Sequence, residues 1–492
     1  MALLSRALSW ALWALLAAGA ILFAAVAWKM LAYRHEVVVS EGAVGLGVQS
    51  ILDGVPLYAQ ERFTHEPFVI LHYTPLYYLI TAPLLSMTEE PFAAGRLVSI
   101  AFTLGAAFVI GTIAAHRTGR RGAGLAAALF WLSFYQVVFW GTAQRVDAPA
   151  IFFEALGLAL ALRAREKNRT PWESLPLFVL AWATKQVMVV GLIAVTLDFL
   201  TRSRRQGLRF AGAGVLALGA TFAVLAMGTD GAFWRAIVKG TVSAAADPPW
   251  VIFGNAELFF GSPWNMLLFA LAGGGVWWRR DRLLAIYLGF GLLFAIATDA
   301  NFPRFFPPMA AMAILVPGLL SDLAQRPALR TALLAMLVFF GGAHLLYEMR
   351  SLVKERIVQL RPDGPRLAVA SALASITKPG GTVLAQDTGM VLSARRSPGV
   401  ADPLVLSILA GNHAWDPRVL AAGIRERRYD AIVLNRPVES IGDTEWTTLW
   451  IAPVRGEIAR AYRLADVFTF DASWRFLEPE RYVYLPAPED GP

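Results

Sequence analysis

The feature that most limits how this chain can fold is a succession of apolar runs, most of them close to the roughly 20 residues a helix needs to cross a bilayer core. They lie at residues 7–27, 97–115, 124–141, 148–162, 175–184, 187–200, 210–228, 264–277, 283–298, 305–320 and 332–346. Inside a membrane every backbone N–H and C=O has to be bonded within its own segment, which leaves the helix as the conformation open to such runs. The expectation is a membrane all-α protein, a polytopic bundle of about eleven transmembrane helices. Only 16% of the residues are charged, where a soluble domain carries about a quarter.

Residues 175–200 could form one long helix, but Lys185-Gln186 stands in the middle. A central lysine costs about 2.5–3.5 kcal/mol on insertion, so two spans meeting at a polar turn are expected. Residues 68–87 are apolar but rich in Tyr and Pro, and are expected to lie in the membrane plane in the first outer loop. Tyr73, Tyr77 and Tyr78 would then rest at headgroup depth. With that topology the arginines and lysines of the short loops near residues 117–121, 163–169, 202–209, 279–282 and 326–330 gather on one side, as the positive-inside rule requires. The N-terminus is then cytoplasmic and the C-terminus outside. Glu41, Asp147, Lys185, Asp299 and Arg304, far apart in sequence, come to one outer face. The first run, after Arg6, is longer than a signal-peptide core of about 7–15 residues and reads as a retained anchor.

Beyond residue 350 the character changes. TVLAQD (382–387), DAIVLN (430–435), VFTF (467–470) and YVYLP (482–486) read as buried strands, with a helix at 417–428. The expected domains are a transmembrane part, residues 1–350, and a small extracytoplasmic α/β domain, residues 351–492. Gln386-Asp387 is its one polar pair with a functional look. The net charge of +8 sits mostly in short loops, where it serves orientation and does not indicate nucleic acid. There is no Cys, and the six His have no ligand spacing, so thiolate and His-box metal sites are excluded. No cofactor is expected, and the sequence leaves a divalent ion open. No inverted repeat of the transporter kind is present.

An ionisable residue at a membrane boundary costs free energy that packing does not require, so function is the default reading of Glu41. Its carboxylate could deprotonate a hydroxyl, or it could cap the helix that follows, where acidic residues are favoured. Asp147, in QRVDAP (144–149) beside Arg145 and ahead of Pro149, has the same two readings. Lys185 and Arg304 stand at the outer ends of apolar runs. They either snorkel or hold a phosphate, lysine as a point charge and arginine as a bidentate fork. Glu154, inside its run, requires a partner within the bundle.

Together these residues resemble the GT-C superfamily of polytopic glycosyltransferases, which use a polyprenyl-phosphate-linked sugar and include the protein mannosyltransferases and the lipid A aminoarabinose transferase. The likeness rests on Ser40-Glu41-Gly42, Gly54-Val55-Pro56-Leu57-Tyr58, Tyr73-Thr74-Pro75-Leu76-Tyr77-Tyr78, Arg96-Leu97-Val98-Ser99, Arg145 to Asp147 and Lys185-Gln186. Where the family often has Asp-Glu-Gly, the first acid is Ser40 here, so the base falls to Glu41 or is shared with Asp147. The resemblance implies an inverting transfer at the outer face of a bacterial inner membrane, in cell-envelope glycan biosynthesis, with a glycan, lipid or protein as acceptor. It assigns Glu41 as base and Asp147 as orienting or second acid. Substrate contacts would come from Lys185, Gln186, Arg304, Arg145, Arg96, Tyr73 and Tyr77, with no metal ligand among them. Two alternatives stand beside it. A transporter or flippase for a lipid-linked sugar would spread polar residues through the depth of the bundle. An assembly protein working through its external domain would make Glu41 dispensable.

Overall fold

A computed structural model describes residues 2–38, 40–88, 90–241, 249–298, 302–358, 360–361, 364–440, 450–469 and 480–488. The chain opens with α1 (Ala2–Ala32), α2 (Ser40–Leu52), α3 (Leu76–Leu85), α4 (Ala93–Thr118) and α5 (Arg121–Ser133). It continues through α6 (Tyr135–Trp140), α7 (Asp147–Glu166), α8 (Leu175–Thr184), α9 (Val190–Arg202), α10 (Arg204–Met227) and the single turn α11 (Ala232–Trp234). Then come α12 (Pro249–Phe260), α13 (Pro263–Arg279), α14 (Arg282–Ala297), α15 (Phe306–Asp322), α16 (Pro327–Ala343) and α17 (Met349–Val353).

Each expected apolar run falls on a helix, and residues 124–141 fall on two, α5 and α6, separated by the extended Phe134. By length and composition, five of the described stretches are long and apolar enough to cross a membrane: Ala2–Ala32, Ala93–Thr118, Arg204–Met227, Pro303–Gln325 and Pro327–Val358. The break expected at Lys185 is present, since α8 stops at Thr184 and α9 starts at Val190.

Burial sorts these helices by what covers them. The apolar window of the α15 stretch is 83% buried, with α4, α5, α13 and α14 packed around it, whereas that of α10 is 11% buried. A helix that is apolar all round and uncovered by protein needs lipid around it. α4 and α5 form a hairpin whose turn is made by Gly119, at φ +67°, the left-handed position glycine favours after a helix. Above the turn Gly111 faces Gly124, and a Cβ on either would come within 2.8 Å of the other's carbonyl oxygen. Absent side chains therefore set how closely these helices approach. Glu154 finds its partners here. Tyr287 donates to it at 2.9 Å and the Gly191 amide at 3.0 Å, so the carboxylate caps the first turn of α9.

α3 has ten residues, about 15 Å of helix, half a bilayer core, so residues 68–87 do not cross as a helix. The expectation for their tyrosines needs correction. Tyr73, Tyr77 and Tyr78 are buried in protein, in a core shared with Val400, Leu406 and Trp415. The Phe68 amide donates to the Gly399 carbonyl at 2.8 Å and the Ala401 amide to the Phe68 carbonyl at 3.2 Å. This bridge ties the loop to the C-terminal part.

That part contains α18 (Pro365–Ile376), β1 (Thr382–Ala385), α19 (Thr388–Ser393), β2 (Ser397–Pro398), α20 (Pro403–Gly411) and α21 (Pro417–Arg425). β3 (Ala431–Leu434), α22 (Ala452–Ala461), β4 (Tyr462–Thr469) and β5 (Glu480–Pro486) follow. One sheet runs in the order β2-β1-β3-β5-β4. β1 is parallel to β2 and β3, and β5 is antiparallel to β3 and β4. The expected strand at 467–470 is the end of the longer β4, which is mostly exposed; Phe470 lies outside the described residues. Gln386-Asp387 finds its partners within the C-terminal part. Asp387 pairs with the buried Arg481 at 2.5 Å, and Gln386 accepts from the Asn435 amide at 3.2 Å.

Candidate active site

Four interruptions of the helical bundle meet at one end. The α6–α7 link carries Arg145 and Asp147, and the α8–α9 turn carries Lys185 and Gln186. The segment before α3 carries His72 and Tyr73, and the turn Phe302–Phe305 before α15 carries Arg304. α7 and α8 pack side by side as consecutive helices, so the start of one and the end of the other share an end. Asp147 and Lys185 therefore touch although 38 residues apart. Pro149 fits because the first turn of a helix has no intrahelical partner for its N–H.

Asp147 is fully buried. One of its oxygens accepts from Arg145 Nε at 2.8 Å and the other from Lys185 Nζ. Arg145 lies over the Trp140 ring, 4.8 Å from its centroid, and donates to the Ser40 hydroxyl. Arg304 is buried as well, and its charge is felt at Lys185 and Tyr73. Gln186 donates to the His72 carbonyl at 2.7 Å and to Thr241 Oγ1 at 3.2 Å, which fixes the loop. The His72 and Tyr73 ring centroids are 4.0 Å apart. Burial, reinforced by Arg145 and Lys185, pushes His72 down to about 3, so its imidazole is neutral at neutral pH. Asp299 lies outside the described residues.

Glu41, Arg96 and Tyr77 belong to a second group that frames the first. Arg96 Nε and Nη2 hold the two Glu41 oxygens at 2.8 and 2.7 Å. Its remaining N–H groups reach the carbonyls of Met30, Tyr33 and His35. All five guanidinium donors are spent, which leaves none for the phosphate expected of Arg96. Glu41 also accepts the amides of Val37 at 2.7 Å, Val38 at 3.3 Å and Gln144 at 2.8 Å. Burial alone would raise its carboxyl, but the Arg96 charge and these hydrogen bonds outweigh it and hold the group at about 2. With five donors aimed at it, the Glu41 carboxylate is less open to a hydroxyl proton than that of Asp147, which two cations hold. Tyr77 donates to the Gly95 carbonyl at 2.8 Å, inside protein. The groups connect through Gln144, whose side-chain amide donates to the Glu41 carbonyl at 2.9 Å.

Sequence reasoning missed two carboxylates. Glu36 accepts the Gly42 amide at 2.8 Å and the Gly389 amide at 2.9 Å, joining the first turns of α2 and α19. Burial, with Asp387 beside it, raises its pKa well above the usual range. Asp402 caps α20 by accepting the Leu404 amide at 2.9 Å, and Arg145 and Tyr73 sense its charge. Burial raises its pKa. Glu36 lies five residues before Glu41 but its partner Gly389 is 353 residues away, and a helix cap is the ordinary reading of Asp402. Among the described residues no group of three or more His, Asp or Glu is placed to hold a metal ion.

The family model for dolichyl-phosphate-mannose-protein mannosyltransferase matches residues 72–228, the stretch that carries Tyr73, Arg145, Asp147 and Lys185. No curated protein sequence matches the chain. Among solved structures, ArnT from Cupriavidus metallidurans in the apo state is 14% identical, with a TM-score of 0.61 over 95% of this chain and 99% of that one. ArnT bound to undecaprenyl phosphate is 15% identical, with a TM-score of 0.58 over 97% and 99%. The oligosaccharyltransferase AglB from Archaeoglobus fulgidus, in complex with an inhibitory peptide and a dolichol-phosphate, is 13% identical, with a TM-score of 0.50 over 98% and 75%. The chain is a multi-pass membrane protein with this helical architecture. It shares its fold with these structures, and residues 72–228 match the mannosyltransferase family model.

Proposed function

We propose that the chain is a membrane glycosyltransferase that moves a sugar from a polyprenyl-phosphate donor to an acceptor hydroxyl at the outer face of a bacterial inner membrane, with inversion. The same reading has eleven spans, a cytoplasmic N-terminus, and residues 351–492 as an external domain. The observation that carries it is the buried group Arg145, Asp147 and Lys185, in which two cations share one carboxylate. A buried surplus of positive charge is costly unless an anion joins it, and a lipid phosphate would be that anion. The relatives named above include structures holding undecaprenyl phosphate and dolichol-phosphate.

In the proposed reaction the donor phosphate draws Lys185 and Arg145 toward itself, which frees the Asp147 carboxylate. The acceptor hydroxyl attacks the anomeric carbon opposite the phosphate and its proton passes to Asp147. The bond from sugar to phosphate oxygen breaks, and Lys185 and Arg145, with Arg304 behind them, stabilise the charge of the departing lipid phosphate. Attack from the opposite face inverts the anomeric centre. Asp147 takes the role of base because the Glu41 lone pairs are occupied; Glu41 and Arg96 are positioning residues. Tyr73 and Gln186 shape the donor side.

The test is to incubate the purified full chain with polyprenyl-phosphate sugars and measure release of bare lipid phosphate, with and without a chelator. Release that chelation abolishes would add a divalent ion to the site. Asp147→Asn should fall at least about 100-fold, the lower range for loss of a general base. An absence of release with every donor overturns the reaction class. An Asp147→Asn variant at wild-type rate removes Asp147 from the base role.

A further inference from the structure

The end of the bundle opposite the candidate site holds a second feature. α14 runs from Arg282 to Ala297, about 24 Å of helix, and the Arg304 turn follows its far end. At its near end the α13–α14 hairpin bounds an open-sided hollow of about 620 Å³, lined by Val276, Trp277, Trp278, Arg280, Asp281 and Arg282. Asp281 is buried and already engaged by Arg117 and by Arg165 at 2.7 Å, so it presents no free negative charge to the hollow. Arg280 and Arg282 are exposed, and among the described residues neither side chain has a hydrogen-bond or ion-pair partner. Arg326 adds a third cation at the rim, its guanidinium 4.5 Å from the Trp278 ring centroid.

The backbone is informative too. Arg280 closes α13 at φ +50°, ψ +38°, a left-handed position where a helix ordinarily places glycine or asparagine. The arginine there stabilises neither the turn nor a neighbour. Trp277 is 84% exposed and Trp278 41%, at the end of an apolar helix where tryptophans mark the boundary between lipid and water. One wall of the hollow is thus aromatic and continuous with the lipid-facing surface, and the other presents unpaired guanidinium forks.

We infer that this hollow binds the headgroup of an anionic phospholipid, its phosphate held by Arg280 and Arg282 and its glycerol and upper acyl chains lying on Trp277 and Trp278. Guanidinium forks suit phosphate oxygens, and basic pockets at helix ends are where anionic headgroups settle. The tryptophan wall commits the site to a lipid, because a free phosphate has nothing to lay against it. Binding here is independent of sugar transfer at the other end of the bundle.

The test uses the purified full chain in mixed micelles of equal phosphatidylglycerol and phosphatidylcholine, repurified, with retained lipid counted by native mass spectrometry. Wild type should retain phosphatidylglycerol in preference to phosphatidylcholine, and the double variant Arg280→Gln with Arg282→Gln should lose that preference by about tenfold. Arg280→Gly separates binding from folding. Glycine accepts φ +50° without strain, so the melting temperature should hold or rise while phosphatidylglycerol retention falls. Equal retention of the two lipids by wild type, or undiminished preference in the double variant, overturns the proposal. Displacement of the lipid by millimolar inorganic phosphate would make the hollow a free-anion site and overturn the lipid assignment.

Discussion

Replacing Glu41 with Gln separates a framing role from a chemical one. The carboxyl sits at about 2 against an ordinary 4.5, and at 1.36 kcal/mol per tenfold this corresponds to about 3 kcal/mol of stability at neutral pH. That contribution is present above pH 4.5 and is lost as pH falls through 2, because the folded protein binds the Glu41 proton more weakly than the unfolded chain. Gln removes the charge and turns one oxygen into an NH2. Its best orientation keeps the oxygen toward Val37, Val38 and Arg96 Nη2, leaving Arg96 Nε and the Gln144 amide facing another donor. Each buried donor without an acceptor costs a further 1–3 kcal/mol or so, and breaking a buried ion pair from one side alone costs about 3–5 kcal/mol. The expected outcome is a melting temperature in detergent lower by at least about 5 °C, with lipid-phosphate release by the folded fraction within about tenfold of wild type. Arg96→Gln should lower the melting temperature similarly, and the double variant should be less destabilised than the sum. A Glu41→Gln protein that melts like wild type and fails to release lipid phosphate would refute this and return Glu41 to the chemistry.

Lys185→Ala removes a charge-assisted contact of about 1.5–3 kcal/mol, so the donor KM should rise about 10- to 100-fold with a smaller fall in kcat; an unchanged donor dependence would return Lys185 to snorkelling. In Gly389→Ala the new methyl would sit 2.4 Å from Glu36 Cβ and 2.5 Å from its Oε2, forcing α19 away from α2. The C-terminal part should then be cut faster by protease at a temperature where wild type resists, and equal resistance would mean that this contact does not hold it in place.

The two buried groups differ in what they ask of the chain. Arg145, Asp147 and Lys185 hold an excess of charge at a joint between helices, whereas Glu41 and Arg96 satisfy each other and the end of α1 completely. Both were expected to touch substrate, because a buried charge near a membrane boundary reads the same in either case. What separates them is the number of donors aimed at each carboxylate, five at Glu41 and two at Asp147.

The sequence alone determined the helical bundle, the break at Lys185, the end of the bundle at which Asp147 and Lys185 lie, and most of the C-terminal strands. These follow from local rules: backbone bonding in lipid, the insertion cost of a central lysine, and short apolar runs that suit buried strands. Only the tertiary structure decided that Tyr73, Tyr77 and Tyr78 are covered by protein, that Arg96 has no donor to spare, and that Glu36 and Asp402 join the loop between α1 and α4 and the candidate site. Each of those depends on a neighbour tens to hundreds of residues away, and hydropathy and spacing carry no record of which neighbour that is.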